Sequence, residues 1–174
     1  GVGGARGGGD GNSTEIPGIP LQSLIEIARR LQVPMWYSDP KPARKVTTQV
    51  PINHSTPALD SKVSELQKLG VIREVDHTVL NSSSIFHEIF LVQDSTRFIS
   101  NLAFLSELQG DPAWFPLGTI VRRARYAVKV DILKGFHQIV IPAEWKGWFC
   151  FCYRGKYYRY ERLPQGWSFS PVIF

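Results

Sequence analysis

The sequence predicts an α+β fold, and three observations carry that prediction. Two separate segments, Pro20 to Gln32 and Thr56 to Leu69, place apolar residues at helical spacing. From Val71 onward, short apolar and β-branched runs alternate with turn residues. The last of them, Trp148–Tyr153 and Tyr157–Glu161 around Arg154-Gly155-Lys156, is the clearest hairpin in the chain. At 174 residues the chain can bury a sizeable core without a metal or a disulfide staple.

The elements follow in order. Seven of the first eleven residues are Gly, so residues 1–19 are expected to form a disordered tail. Residues 20–55 are then a helix and an extended connector. Leu21, Leu24, Ile25, Ala28 and Leu31 share a helix face, and Pro34, Pro40 and Pro42 end it. Thr56 and Pro57 open a second helix, with Ala58, Leu59, Val63, Leu66 and Leu69 on one face and Gly70 as its stop. Strands are expected at Val71–Val75, Ser84–Gln93 and Arg97–Leu102, the last two with hairpin spacing across Asp94, Ser95 and Thr96. Pro116 to Arg123 can form a short helix. Tyr126–Asp131 reads as a strand, Leu133–Phe136 as a turn and Gln138–Ile141 as an extended piece. After the hairpin, Leu163–Trp167 is a loop, and Ser168 begins a new segment with Pro171 in its first turn.

Composition excludes several classes. No run of 18 apolar residues exists, so a membrane-spanning helix is not expected, and no basic and apolar leader opens the chain. An intracellular protein of the cytoplasm or nucleus is therefore expected, not a secreted one. The Asn-x-Ser/Thr triplets at Asn12, Asn53 and Asn81 are then chance matches. Cys150 and Cys152, the only cysteines, stand two residues apart on one strand, where they suit core packing better than a bridge. His54, His77, His87 and His137 have no partners at metal-ligand spacing. The net charge is +5, and residues 111–174 carry ten basic and four acidic groups. Ten of the 21 aromatic residues lie between Trp148 and Phe174. Such interleaving suits a nucleic-acid groove, but equally a half-buried strand pair with solvated basic faces. The chain starts at Gly1 and stops at Phe174 within an apolar run, so it reads as a piece of a longer frame.

One constellation is sharper. In YAVKVDILKGFHQIVI, Tyr126 to Ile141, an apolar run delivers a single carboxylate, Asp131, with Phe136 five residues on. The hairpin follows, and then RLPQGWSFSPVIF, Arg162 to Phe174. In this order and spacing the segments resemble the central palm region of reverse transcriptases, the RNA-directed DNA polymerases of retroviral, LTR and DIRS-like retroelements. Upstream, SELQKLGVIREV resembles their fingers helix and following strand, and FLVQDSTRFISNLAFLSEL their fingers hairpin. The resemblance covers Pro57 to Phe174.

What the resemblance implies is an α+β fingers and partial palm, with residues 56–125 fingers-like and 126–174 the partial palm. It implies template-directed transfer from a deoxynucleoside triphosphate (dNTP) to a primer 3′-hydroxyl, with Mg²⁺ as metal and RNA/DNA template-primer as partner. Asp131 matches the first metal-binding aspartate. Phe136 matches the aromatic beneath the sugar, Gln165 the glutamine beside the nucleotide and Gly166 the tight turn under it. Arg97 matches the arginine over the triphosphate.

The departures are equally definite. The paired aspartates of the family's YxDD hairpin are absent, no two acidic residues are adjacent, and after Asp131 only Glu144 and Glu161 are acidic. Asn101, Ala103 and Ser106 stand where the family carries an acid, an arginine and an asparagine. Lys134 stands where relatives often carry a second acid. The expectation is a catalytically incomplete fragment, and the alternative a non-catalytic remnant that binds nucleic acid or a protein partner. Without the YxDD hairpin, Tyr126–Asp131 is expected to lack a neighbour on one side and to promote self-association.

Overall fold

The computed structural model describes residues 15–33, 39–43, 50–81, 83–92, 96–112 and 117–174. Helices α1 (Leu21–Arg30) and α2 (Pro57–Lys68) form where the apolar spacing places them. Thr56 caps α2, its side-chain oxygen accepting from the Leu59 amide at 3.1 Å. Gly70, at φ +76°, ends the turn that follows. Leu59, Val63 and Leu66 are buried, whereas Ala58 faces solvent.

The centre is a three-stranded antiparallel sheet. Strand β2 (Ile72–Val75) pairs with β7 (Lys156–Tyr160), and β7 pairs with β6 (Cys150–Tyr153). Arg154 and Gly155 make the two-residue turn of the hairpin, both at positive φ. A second hairpin joins β3 (Glu88–Val92) to β4 (Arg97–Asn101), with Val92 opposite Arg97. Asn53 holds the two hairpins together. Its Oδ1 accepts from the Ile89 amide at 2.9 Å, and its Nδ2 donates to the Cys152 carbonyl at 2.8 Å. The helices α3 (Ala103–Gln109), α4 (Leu117–Arg123) and α5 (Ser170–Ile173) complete the chain.

The core is dominated by rings. Phe149, Phe151 and Trp167 are buried together with Trp145 and Trp148, and Trp145 stacks on Trp148 at 5.8 Å and 12°. The Trp167 indole N–H is not orphaned, since it donates to the Gln109 Oε1 at 3.0 Å. Cys150 is buried and in no disulfide, its Sγ donating to the Gly147 carbonyl at 3.6 Å, and burial pushes its thiol up to about 12, so it packs rather than reacts.

Several expectations are corrected. Tyr126–Asp131 is not a strand. Among the described residues no neighbour pairs with it, and Tyr126, Val128 and Val130 stay at least three-quarters exposed. The segment Ser84–Gln93 splits: Ile85 and His87 bond to the edge of β6, and only Glu88–Val92 enters the hairpin. Glu15 to Ile19, expected in the tail, is ordered. The Ile16 amide donates to the Leu69 carbonyl at 2.9 Å, and β1 (Ile19–Pro20) pairs in parallel with β5 (Ile139–Val140). Residues 1–14, Asp94, Ser95 and Pro34 lie outside the described residues. None of the described helices is long and apolar enough to cross a membrane.

His87 is 2% exposed, and neither ring nitrogen has a partner among the described residues. Burial lowers its pKa to about 3, so the folded ring is neutral. The unfolded chain therefore binds the extra proton below pH 6.5, and stability falls as pH drops from there toward 3. The slope from this one residue is about 1.4 kcal/mol per pH unit. Chemical denaturation between pH 7 and pH 4.5 should show this loss, and His87→Phe should flatten it.

Candidate functional site

Beneath α2 and β4 lies an open cleft of about 510 Å³. Arg97 reaches its rim from the first position of β4, exposed, while Phe98 beside it turns into the core. Asp131 also lines it, an exposed carboxylate at the end of the unpaired segment. A tight turn follows, with Lys134 at φ +50°, and leads into a single 3₁₀ turn over Phe136–Gln138. Gln138 closes that turn by donating from Nε2 to the Leu133 carbonyl at 2.7 Å.

Phe136 is half-buried in the cleft and meets the ring of Phe174 edge-on at 5.6 Å. Phe174 also packs over Gly135, where a β-carbon would have to displace its ring. Gln165 lines the cleft from the loop after β7, and its carbonyl accepts from the Ser100 amide at 3.2 Å. Gly166 follows at φ +110°, and a β-carbon on it would collide with the Ser100 carbonyl oxygen. Glycine is therefore what lets the loop lie against β4 and set Gln165 in the wall of the cleft. Behind them, the buried Tyr160 hydroxyl and Ser100 hydroxyl share a hydrogen bond of 2.7 Å, and burial pushes the phenol up.

The structure thus gathers Asp131, Arg97, Phe136 and Gln165 around one cleft, with Gly166 packed behind its wall. Sequence reading missed other lining residues. Lys62 and Glu65 come from α2, where they form an ion pair at 3.2 Å. Their i,i+3 spacing was visible, but which way that face pointed was not. His137 lines the cleft too, with its pKa lowered to about 4. Burial is the main cause, reinforced by the Lys134 and Arg162 charges and opposed by Glu65.

Among the described residues, Asp131 and Glu65 are the carboxylates lining the cleft, and Glu65 is already paired with Lys62. Among the described residues no group of three His, Cys, Asp or Glu side chains converges as a metal site. Mg²⁺ requires several oxygen ligands in near-octahedral order, and this donor set does not supply them.

No known family profile matches the sequence, and no curated protein matches it. Solved structures do. A foamy viral protease-reverse transcriptase in complex with double-stranded DNA superposes with a TM-score of 0.55 at 19% identity. The match covers 88% of this chain and 30% of the viral one. A second structure of the foamy viral protease-reverse transcriptase with double-stranded DNA gives 0.53 at 17% identity, over 88% of this chain and 36% of that one. A prototype foamy virus protease-reverse transcriptase mutant gives 0.51 at 18% identity, over 88% of this chain and 23% of that one. This chain spans about a third or less of the length of those structures. The polypeptide has a reverse transcriptase-like fold.

Proposed function

We propose that this chain is the fingers and first part of the palm of a retroelement reverse transcriptase, and that its cleft holds a dNTP. The observation that carries the reading is convergence. Four side chains assigned from scattered sequence segments line one cleft of nucleotide size. In that reading Arg97 grips phosphate oxygens with a planar fork of donors, and Phe136 lies under the sugar. Gln165 borders the base, and Asp131 faces the primer hydroxyl. The reaction joins that hydroxyl to the α-phosphorus and releases pyrophosphate. This chain alone is catalytically incomplete, because a single unpaired carboxylate in the cleft does not complete a two-metal site.

A second reading, a non-catalytic module that binds nucleic acid, draws on a different surface. Arg122, Arg123, Arg125 and Lys129 are all exposed around Tyr126, which is 88% exposed. Cations for phosphates and a free ring for stacking suit a single strand.

Primer extension with Mg²⁺ and deoxynucleotides should give no product with this chain, while primer–template binding persists and weakens with salt. Extension abolished by Asp131→Asn would instead show that other carboxylates complete the site. Arg97→Ala should weaken dNTP binding by about tenfold, as expected for loss of one charge-assisted contact. Absence of any nucleotide or nucleic-acid binding would end both readings. Gly166→Ala should lower the unfolding free energy from chemical denaturation by at least about 1–3 kcal/mol, from the positive φ and the Ser100 carbonyl. The apolar segment at Val128 should drive self-association, and Val128→Glu should shift sedimentation toward monomer.

A further inference from the structure

We propose that the cleft of this chain takes a polyphosphate free of divalent metal, and that Lys134 makes it do so. The inference rests on the nucleotide reading above and changes what that site selects. Five formally charged side chains line the cleft: Lys62, Arg97, Lys134, Glu65 and Asp131. Lys62 and Glu65 cancel in their own ion pair. Among the described residues, Arg97, Lys134 and Asp131 are held in no ion pair with the protein. Two cations therefore face one carboxylate.

That balance disfavours a dication. A Mg²⁺ ion beside Asp131 meets the field of Lys134 three residues on, and among the described residues no second free carboxylate lines the cleft to offset it. A triphosphate or pyrophosphate meets the opposite situation. Its oxygens carry several negative charges, and Arg97 and Lys134 offer a fork of donors and a mobile ammonium. The ammonium rides on a tight turn whose left-handed residue is Lys134 itself. Its charge also reaches His137 within the cleft, which places the lysine's field inside the site. Mg²⁺ in solution, by neutralising the polyphosphate, competes with these cations.

Isothermal titration of the 174-residue chain tests this with two probes, dATP and inorganic pyrophosphate, each in EDTA and in millimolar Mg²⁺. Both probes should bind more tightly in EDTA. Lys134→Asp should weaken binding in EDTA by about tenfold or more and make the remaining binding depend on Mg²⁺. Lys134→Asn, which tolerates positive φ, should weaken binding in EDTA without creating Mg²⁺ dependence. Thermal melts establish that the variants fold. Tighter binding to the unaltered chain in Mg²⁺, or Lys134 variants indistinguishable from it, overturns the inference and leaves the nucleotide cleft standing. Failure of both probes to bind in either buffer overturns the nucleotide reading with it.

Discussion

The buried guanidinium of Arg162 is the point on which the arrangement around the cleft depends. One of its nitrogens donates to the His137 carbonyl at 2.9 Å, another to the Ile16 carbonyl at 2.7 Å, and Glu15 lies 3.7 Å from it. Three segments far apart in sequence meet there: the ordered N-terminal strap, the 3₁₀ turn that presents Phe136, and the loop that leads to Gln165. A charge this buried is costly to desolvate, so it persists only where its donors are satisfied. The need to satisfy them fixes the segments. Gly18 belongs to the same junction, where a β-carbon would strike both Val140 and Arg162.

The charges of the molecule separate into two kinds. Around Glu161, the cations Lys146, Arg73 and Arg159 crowd one carboxylate that is mostly shielded from solvent. Those charges serve the sheet, because each is committed to a partner. In the cleft, beside the Lys62–Glu65 pair, Arg97, Asp131 and Lys134 are exposed and, among the described residues, held in no ion pair. The charges around Glu161 are spent on one another, whereas these three remain available to a ligand.

The sequence made the local features legible. Period-3.6 spacing located α1 and α2, and the Arg154-Gly155 turn located the β6–β7 hairpin. What it misjudged was nonlocal. The apolar run Tyr126–Asp131 has the composition of a strand, but a strand requires a neighbour, and none of the described residues supplies one. The helix Ala103–Gln109 was not assigned, because seven residues span only two turns, too few for a periodicity to stand out. The 3₁₀ stretch Ala143–Trp148 has no periodicity by which to be recognised. Of the cleft, Asp131, Arg97, Phe136 and Gln165 were named through resemblance. Lys62, His137 and Phe174 enter it only by tertiary packing, which no local pattern records.

The ring cluster has an optical consequence. Trp145 and Trp148 lie nearly parallel, and Trp167 stands edge-on to both at 5.6 and 6.4 Å. Indoles at such separations couple their electronic transitions, so the near-ultraviolet circular dichroism of the folded chain carries a signature of the cluster as a unit. Excitation migrates among the three rings before emission, and the anisotropy of tryptophan fluorescence is correspondingly reduced. None of these three rings lines the cleft, so the signals report chiefly on assembly of the core.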